Sequence, residues 1–185
     1  MSAVLTTRDN VKQFLGITGT SDDALIDRLI NAASGFIEQW TNRDFGAASY
    51  SEARDGTGGT FMFARQRPVL SVSAVAVDGR SIPQSSGVGS PGFYFTAEGV
   101  GLRGYTFTRG RGLRNVSFDY TAGYNVVPRE IEQACIDLVS FKYREKDRVG
   151  LASKGLAGET TTYIQTDMPE NMQAVLMAYK AVVPA

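Results

Sequence analysis

Four arginines crowd one short stretch, GLRGYTFTRGRGLRN at positions 101–115, where Arg103, Arg109, Arg111 and Arg114 alternate with glycines and with the rings of Tyr105 and Phe107. No acid intervenes. Guanidinium groups bind phosphate oxygens and aromatic rings stack on bases, so the loop has chemistry suited to nucleic acid. Charge runs are more often solvated faces, and the same residues equally suit a soluble hairpin tip or a contact with an acidic protein partner. Other reactive combinations are sparse. GVGSPG at 87–92 matches the GxGxxG string of dinucleotide-binding turns, but Pro91 lies inside it and FYF follows where a phosphate-holding helix should begin. It is a loop. Glu52, Asp55, Asp119, Glu130 and Glu132 are scattered, whereas a glycosidase-like pair needs two acids held at a defined separation across a cleft. Glu130 and Glu132 are already explained by a helix start, where the dipole favours acids.

The chain contains no His and one Cys. Without His, the usual general base, the Ser-His and Cys-His nucleophile pairs and the common zinc sites are gone. Cys135 sits among Ile131, Ala134, Ile136 and Leu138 and reads as a small buried apolar residue. The expectation is a protein that is not an enzyme and needs neither cofactor nor metal.

Across 185 residues, 43% are hydrophobic and 21% charged, with a net charge of zero. That composition supports an ordered globular chain, most economically one domain with a sizeable insertion. Zero net charge argues against a surface built throughout for nucleic acid, though not against a local basic patch. No stretch reaches the roughly 18 apolar residues of a membrane span, so no membrane partner is expected and the protein should be made in the cytoplasm.

The elements that must position these residues follow from periodicity. LTTRDNVKQFLGI predicts a short helix with Thr6 near a capping-box position, Val11, Phe14 and Leu15 on one face, and Gly16 as its stop. GTSDDALIDRLINAASGFIEQWTNR predicts the strongest helix, capped by Thr20 or Ser21, with Leu25, Ile26, Leu29, Ile30, Ala33, Phe36, Ile37 and Trp40 at helical spacing. Short β-rich runs then alternate with Gly-rich turns, and VSAVAV ending at Asp78-Gly79 is a hairpin signal. Helical period returns after Pro128, where Ile131, Ala134, Cys135, Leu138 and Phe141 form a face that Ile136, Val139 and Tyr143 widen. Such a face needs several packing partners. Residues 150–166 predict an extended arm or loop, and a last short helix opens after Met168-Pro169. Tyr120 and Tyr124, flanking Gly123 where the last strand hands over to this long helix, should pack the β insertion against the helical body rather than hold a ligand. The fold class is α+β: a small bundle of about four helices with an inserted antiparallel β unit. Residues 1–48 are assigned to the N-terminal helices, 49–126 to the β insertion, and 127–185 to the long helix, arm and C-terminal helix.

TRDNVKQFLGI followed by SDDALIDRLINAASGFIEQWTNRDF, then RPVLSVSAVAVDG, then FDYTAGYNVVPREIEQACIDLVSFKYR, resembles in order and spacing the head-tail connector (adaptor, or head-completion) proteins of long-tailed bacteriophages and prophages, in their longer form with a β insertion. The resemblance implies a structural virion protein of the neck, made in the bacterial host cytoplasm. It would form a ring below the portal, usually dodecameric in the virion and often monomeric when free. Its implied partners are the portal protein, the next neck or tail-completion protein, copies of itself, and double-stranded DNA passing through the channel without sequence recognition. Family members use the region after the long helix for portal or subunit contacts. That maps here onto Lys154, Thr160, Thr161, Thr162, Tyr163 and Ile164, whose threonine-rich run has the composition to add a strand to a partner. The arginine loop (Arg103, Arg109, Arg111, Arg114) becomes a channel- or partner-facing element. The alternative is a small DNA-binding module built on that loop.

Overall fold

The computed structural model describes residues 3–110, 112–146, 153–156, 159–162, 168 and 170–181 of the chain. It divides into two compact units, one formed by Met1–Arg43 with Val127–Val182 and the other by Asp44–Val126.

The first unit is helical, and its helix ends show how side chains are diverted by tertiary partners. Helix α1 (Arg8–Leu15) is capped by Thr7, whose hydroxyl accepts from Asn10 N–H, and it stops at Gly16 in the left-handed region. The sequence placed the cap near Thr6, but that residue is buried and its hydroxyl donates to Glu132 at 3.5 Å. Phe14, expected on the core face, is half exposed; Val11 alone of this helix is fully buried. Helix α2 (Asp23–Thr41) is preceded by Asp22 rather than capped by Thr20 or Ser21. The Asp22 carboxylate caps nothing of its own helix because it accepts from Tyr143 and, at 3.2 Å, from Lys146. Of the expected α2 face, Ile26, Ile30, Ala33 and Ile37 are buried at helical spacing with Ser34 beside them, while Leu25, Leu29, Phe36 and Trp40 are half-buried along its flanks.

Helix α3 (Arg129–Glu145) buries Ile131, Ala134, Cys135, Ile136, Leu138, Val139 and Ser140. The wide apolar face meets its several partners, since α3 packs against α1, α2 and α4 (Glu170–Tyr179). Polar links tie the helices: Arg8 pairs with Asp23 at 3.0 Å and with Asp27, Lys12 with Asp23 at 2.7 Å, and Asn10 donates to Glu132 at 2.7 Å. No described helix is long and apolar enough to cross a membrane.

The second unit is antiparallel β. One sheet has the order β1-β7-β3-β4, from β1 (Ala48–Arg54), β7 (Val116–Ala122), β3 (Val69–Val77) and β4 (Arg80–Ser81). The other runs β2-β6-β5, from β2 (Phe61–Phe63), β6 (Gly99–Arg103) and β5 (Gly92–Thr96). A single apolar cluster including Val72, Val75, Phe93, Val100, Leu102, Phe107, Val116 and Phe118 is shared by the two sheets. The expected hairpin is present: Asp78 (φ 52°) and Gly79 (φ 75°) both take positive φ between β3 and β4, as a type I′ turn requires. Gly123 follows β7 at φ 116°, and a Cβ there would lie 2.2 Å from the carbonyl oxygen of Gly46, so only glycine fits. Of the two tyrosines expected to pack against the helical body, Tyr120 is instead buried within this unit against Tyr50 and Phe118, and Tyr124 stacks on Phe45 of the same unit. In the expected arm, the described backbone is a hairpin of β8 (Ser153–Leu156) and β9 (Glu159–Thr162).

Candidate functional site

The arginine-rich stretch is not a free tip. Phe107 is fully buried and its backbone bonds both ways to the preceding turn, N–H to Gly59 O at 2.8 Å and C=O from Gly58 N–H at 2.7 Å. Asn115 closes the loop. Its amide donates to Asp78 (2.8 Å) and to Thr108 O (2.9 Å), while its oxygen accepts from Gly56 N–H at 3.0 Å. Asp78 also accepts from the Thr108 hydroxyl, and these bonds hold its carboxyl below the usual carboxylate range.

Asp55 organises the far end. Its two oxygens accept from Gly112 N–H at 2.6 Å and Arg114 N–H at 2.7 Å, and these backbone donors lower its pKa from the ordinary 3.8. Gly112 (φ 69°) and Arg114 (φ 45°) both sit in the left-handed region, so Gly112-Leu113-Arg114 curls over the Asp55 carboxylate. Leu113 is left 75% exposed at the crest. Sequence reasoning missed both Asp55 and Leu113: the Asp55 contact spans 57 residues, and a leucine among arginines carries no periodic signal.

The described arginines go to separate neighbours. Arg103 donates to Gly87 O at 3.0 Å and lies 4.9 Å from the Tyr94 ring centroid. Arg109 lies beside Gly58. Arg114 lines an open groove of about 910 Å³ with Arg54, Arg65, Glu52 and Asp55. Arg111 falls outside the described residues. Within that groove Glu52 is a buried carboxylate. It accepts from the Tyr120 hydroxyl and from Arg65 N–H (2.8 Å) and pairs with Arg54 at 3.0 Å. Burial, reinforced by Glu52, raises the Tyr120 pKa. Glu52 Oε1 takes both hydrogen bonds, while Oε2 is buried with the Arg54 ion pair as its contact and no aligned hydrogen bond among the described residues.

Of the residues proposed for portal or subunit contact, Lys154 lies on β8 and Thr160, Thr161 and Thr162 on β9, with Lys154 opposite Thr161 in the ladder. Tyr163 and Ile164 fall outside the described residues. On the helical unit, a groove of about 440 Å³ lies between α3 and α4, with Ala134, Met172 and Val175 as apolar lining and Arg129, Glu130, Gln133 and Asp137 around them. Among the described residues no group of three or more acids or Cys is placed to hold a metal.

A family model described as "Head completion protein" matches residues 4–182. A search of curated proteins finds no match. Among solved structures, a chain from the neck of a native GTA particle computed with C12 symmetry is similar at TM-score 0.54 and 17% identity, over 91% of this chain and 95% of that one. A chain from the neck of an empty GTA particle computed with C6 symmetry gives TM-score 0.55 and 19% identity, over 91% and 84%. A chain from the virion of a native gene transfer agent gives 0.53 and 20%, over 91% and 84%. At these identities the likeness shows a shared fold.

Proposed function

Because the chain belongs to the head completion protein family, we propose that it is a structural virion protein of the head-tail neck, assembled as a ring below the portal and around the DNA exit channel. The observation that carries this reading is the family match over residues 4–182. The neck descriptions of the particles that share its fold, one computed with C12 and one with C6 symmetry, support placement in a ring. Its partners are then the portal, the next neck or tail-completion protein, its own copies, and DNA that passes without being read. The arm residues Lys154, Thr160, Thr161, Thr162, Tyr163 and Ile164 serve portal or subunit contact. A two-stranded hairpin is marginal alone in water, so β8 and β9 gain from joining a partner's sheet.

The role is assembly rather than catalysis. The buried acid Glu52 serves to tie strands of the β unit together, through Tyr120, the Arg65 backbone N–H and the Arg54 ion pair. The arginine loop is assigned to a partner face rather than to an independent DNA reader, because the Arg103 guanidinium is engaged at Gly87 and Tyr94 and the backbone of Arg114 is fixed by Asp55.

Light scattering and negative-stain microscopy of the chain mixed with its cognate portal test the reading. Rings stacked on the portal are expected. A chain that neither forms rings nor binds portal under any condition would overturn it, whereas a monomer in isolation is consistent with a part that waits for its platform.

A further inference from the structure

Two surfaces of this chain each set an apolar group beside charge, basic on one and mostly acidic on the other. The first is the Gly112-Leu113-Arg114 tip. Both of its flanking residues have positive φ, and Asp55 holds their N–H groups at 2.6 and 2.7 Å, so the turn is set before any partner arrives. Arg114 is a non-glycine residue at φ 45°, a conformation that costs energy and clusters at binding clamps. The tip presents a single, 75% exposed leucine flanked by Arg114, with Arg109 also exposed in the same loop. The second is the α3/α4 groove. Its apolar lining of Ala134, Met172 and Val175 accepts an aliphatic side chain, and Glu130 and Asp137 stand at it against the single cation Arg129. Glu130 uses one oxygen to accept from Tyr179 at 3.3 Å, and Asp137 uses one to accept from Gln133 at 2.8 Å. Each keeps a second oxygen for a guanidinium.

We propose that the Gly112–Arg114 tip of one copy seats Leu113 in the α3/α4 groove of the next copy, with Arg114 against Glu130 and Asp137. This rests on the ring reading and names the surfaces that close the ring. Interface energy concentrates where a side chain fills a desolvated pocket, and arginine is among the residues enriched at such points. Because the tip and the groove are different patches, the contact is head-to-tail, the type that propagates around a ring instead of stopping at a dimer. Charge chooses the occupant: the chain is neutral overall, yet its exposed leucine sits among arginines and its apolar groove beside acids. Opposite potentials favour this pairing and disfavour tip-tip or groove-groove contacts.

The test uses particles that carry the protein, with Leu113→Cys and Val175→Cys together in the full chain and Val88→Cys with Val175→Cys as the control pair. Val88 is exposed on a separate loop. If the neck carries rings, the Leu113/Val175 pair is expected to give oxidative cross-links between copies and the control pair none. Rings without that cross-link, or with equal cross-linking of the control, overturn the inference and leave the ring reading standing. Necks without a ring overturn both. A charge swap guards against a variant that fails to assemble for other reasons. Arg114→Asp or Asp137→Arg alone should lower incorporation into the neck about tenfold, with the double variant recovering most of it. A double variant no better than the worse single one overturns the pairing.

Discussion

At the scale of single residues, Asp55 links the acid chemistry of the chain to the shape of its tip. Its carboxyl is lowered from 3.8 chiefly by Gly112 N–H and then by Arg114 N–H. A depressed folded pKa means that this contribution is complete above the unfolded value near 3.8 and is lost as pH falls through the lower folded value. Asp55→Asn is therefore expected to unfold at lower urea than the parent at pH 7, with the gap closing as pH drops below about 4. Urea titrations at pH 7 and on the acid side check this. The parent keeps an acid slope of its own from Asp22, Asp23 and Asp78, whose pKa values are lowered in the same direction. A gap that persists at low pH would contradict the assignment. Tyr120 offers a second residue-scale test. Its hydroxyl donates to buried Glu52 and accepts from Gln66 N–H at 3.1 Å, so Tyr120→Phe strips a buried carboxylate and a backbone donor of a partner. The expected cost is about 1–3 kcal/mol by denaturant unfolding. Neither role was legible in the sequence, which shows a lone tyrosine on a strand and scattered acids; the contacts join residues 54 to 68 positions apart.

At the scale of elements, periodicity was informative and caps were not. The α2 stripe, the broad α3 face and the Asp78-Gly79 hairpin follow from local spacing and turn chemistry. The cap expected near Thr6 is Thr7, with the Thr6 hydroxyl turned to Glu132, and the cap position expected at Thr20 or Ser21 is Asp22, whose carboxylate goes to Tyr143 and Lys146. A short polar side chain takes one orientation at a time, and one turned toward a distant partner is no longer aimed at the first-turn N–H groups of its own helix. The joint after β7 was legible because glycine there signals unusual backbone, and the close approach of Gly46 supplies the reason. Gly123→Ala combines a left-handed backbone with a Cβ clash, so it should lower stability by at least about 2 kcal/mol. A thermal melt with midpoint unchanged from the parent would contradict that joint. On α3, Cys135 is buried beside Ser34 (O···S 3.7 Å), and burial pushes its thiol up to about 11. It should therefore be silent to a thiol reagent at pH 8 in the folded protein and react fully in denaturant. Fast reaction of the native chain would show that α3 is not packed as described.

At the scale of the whole molecule, the α+β class was accessible because one period gives way to another and back: helical before about residue 45, β-rich through the middle, helical again after Pro128. The sheet order was not accessible. β7 pairs with both β1 and β3, and nothing in the sequence marks which distant strands share its edges. The candidate contact surfaces were partly legible. The arginine stretch stood out by composition, but its division among Gly87, Gly58 and Asp55, and the leucine it presents, depend on pairings made across the fold. The most direct measurement is electron microscopy of particle necks in which this chain carries a small label. The account predicts a closed ring of labelled copies between portal and tail, encircling the DNA path. Label found elsewhere in the particle, or a neck in which the chain forms no ring, would contradict it.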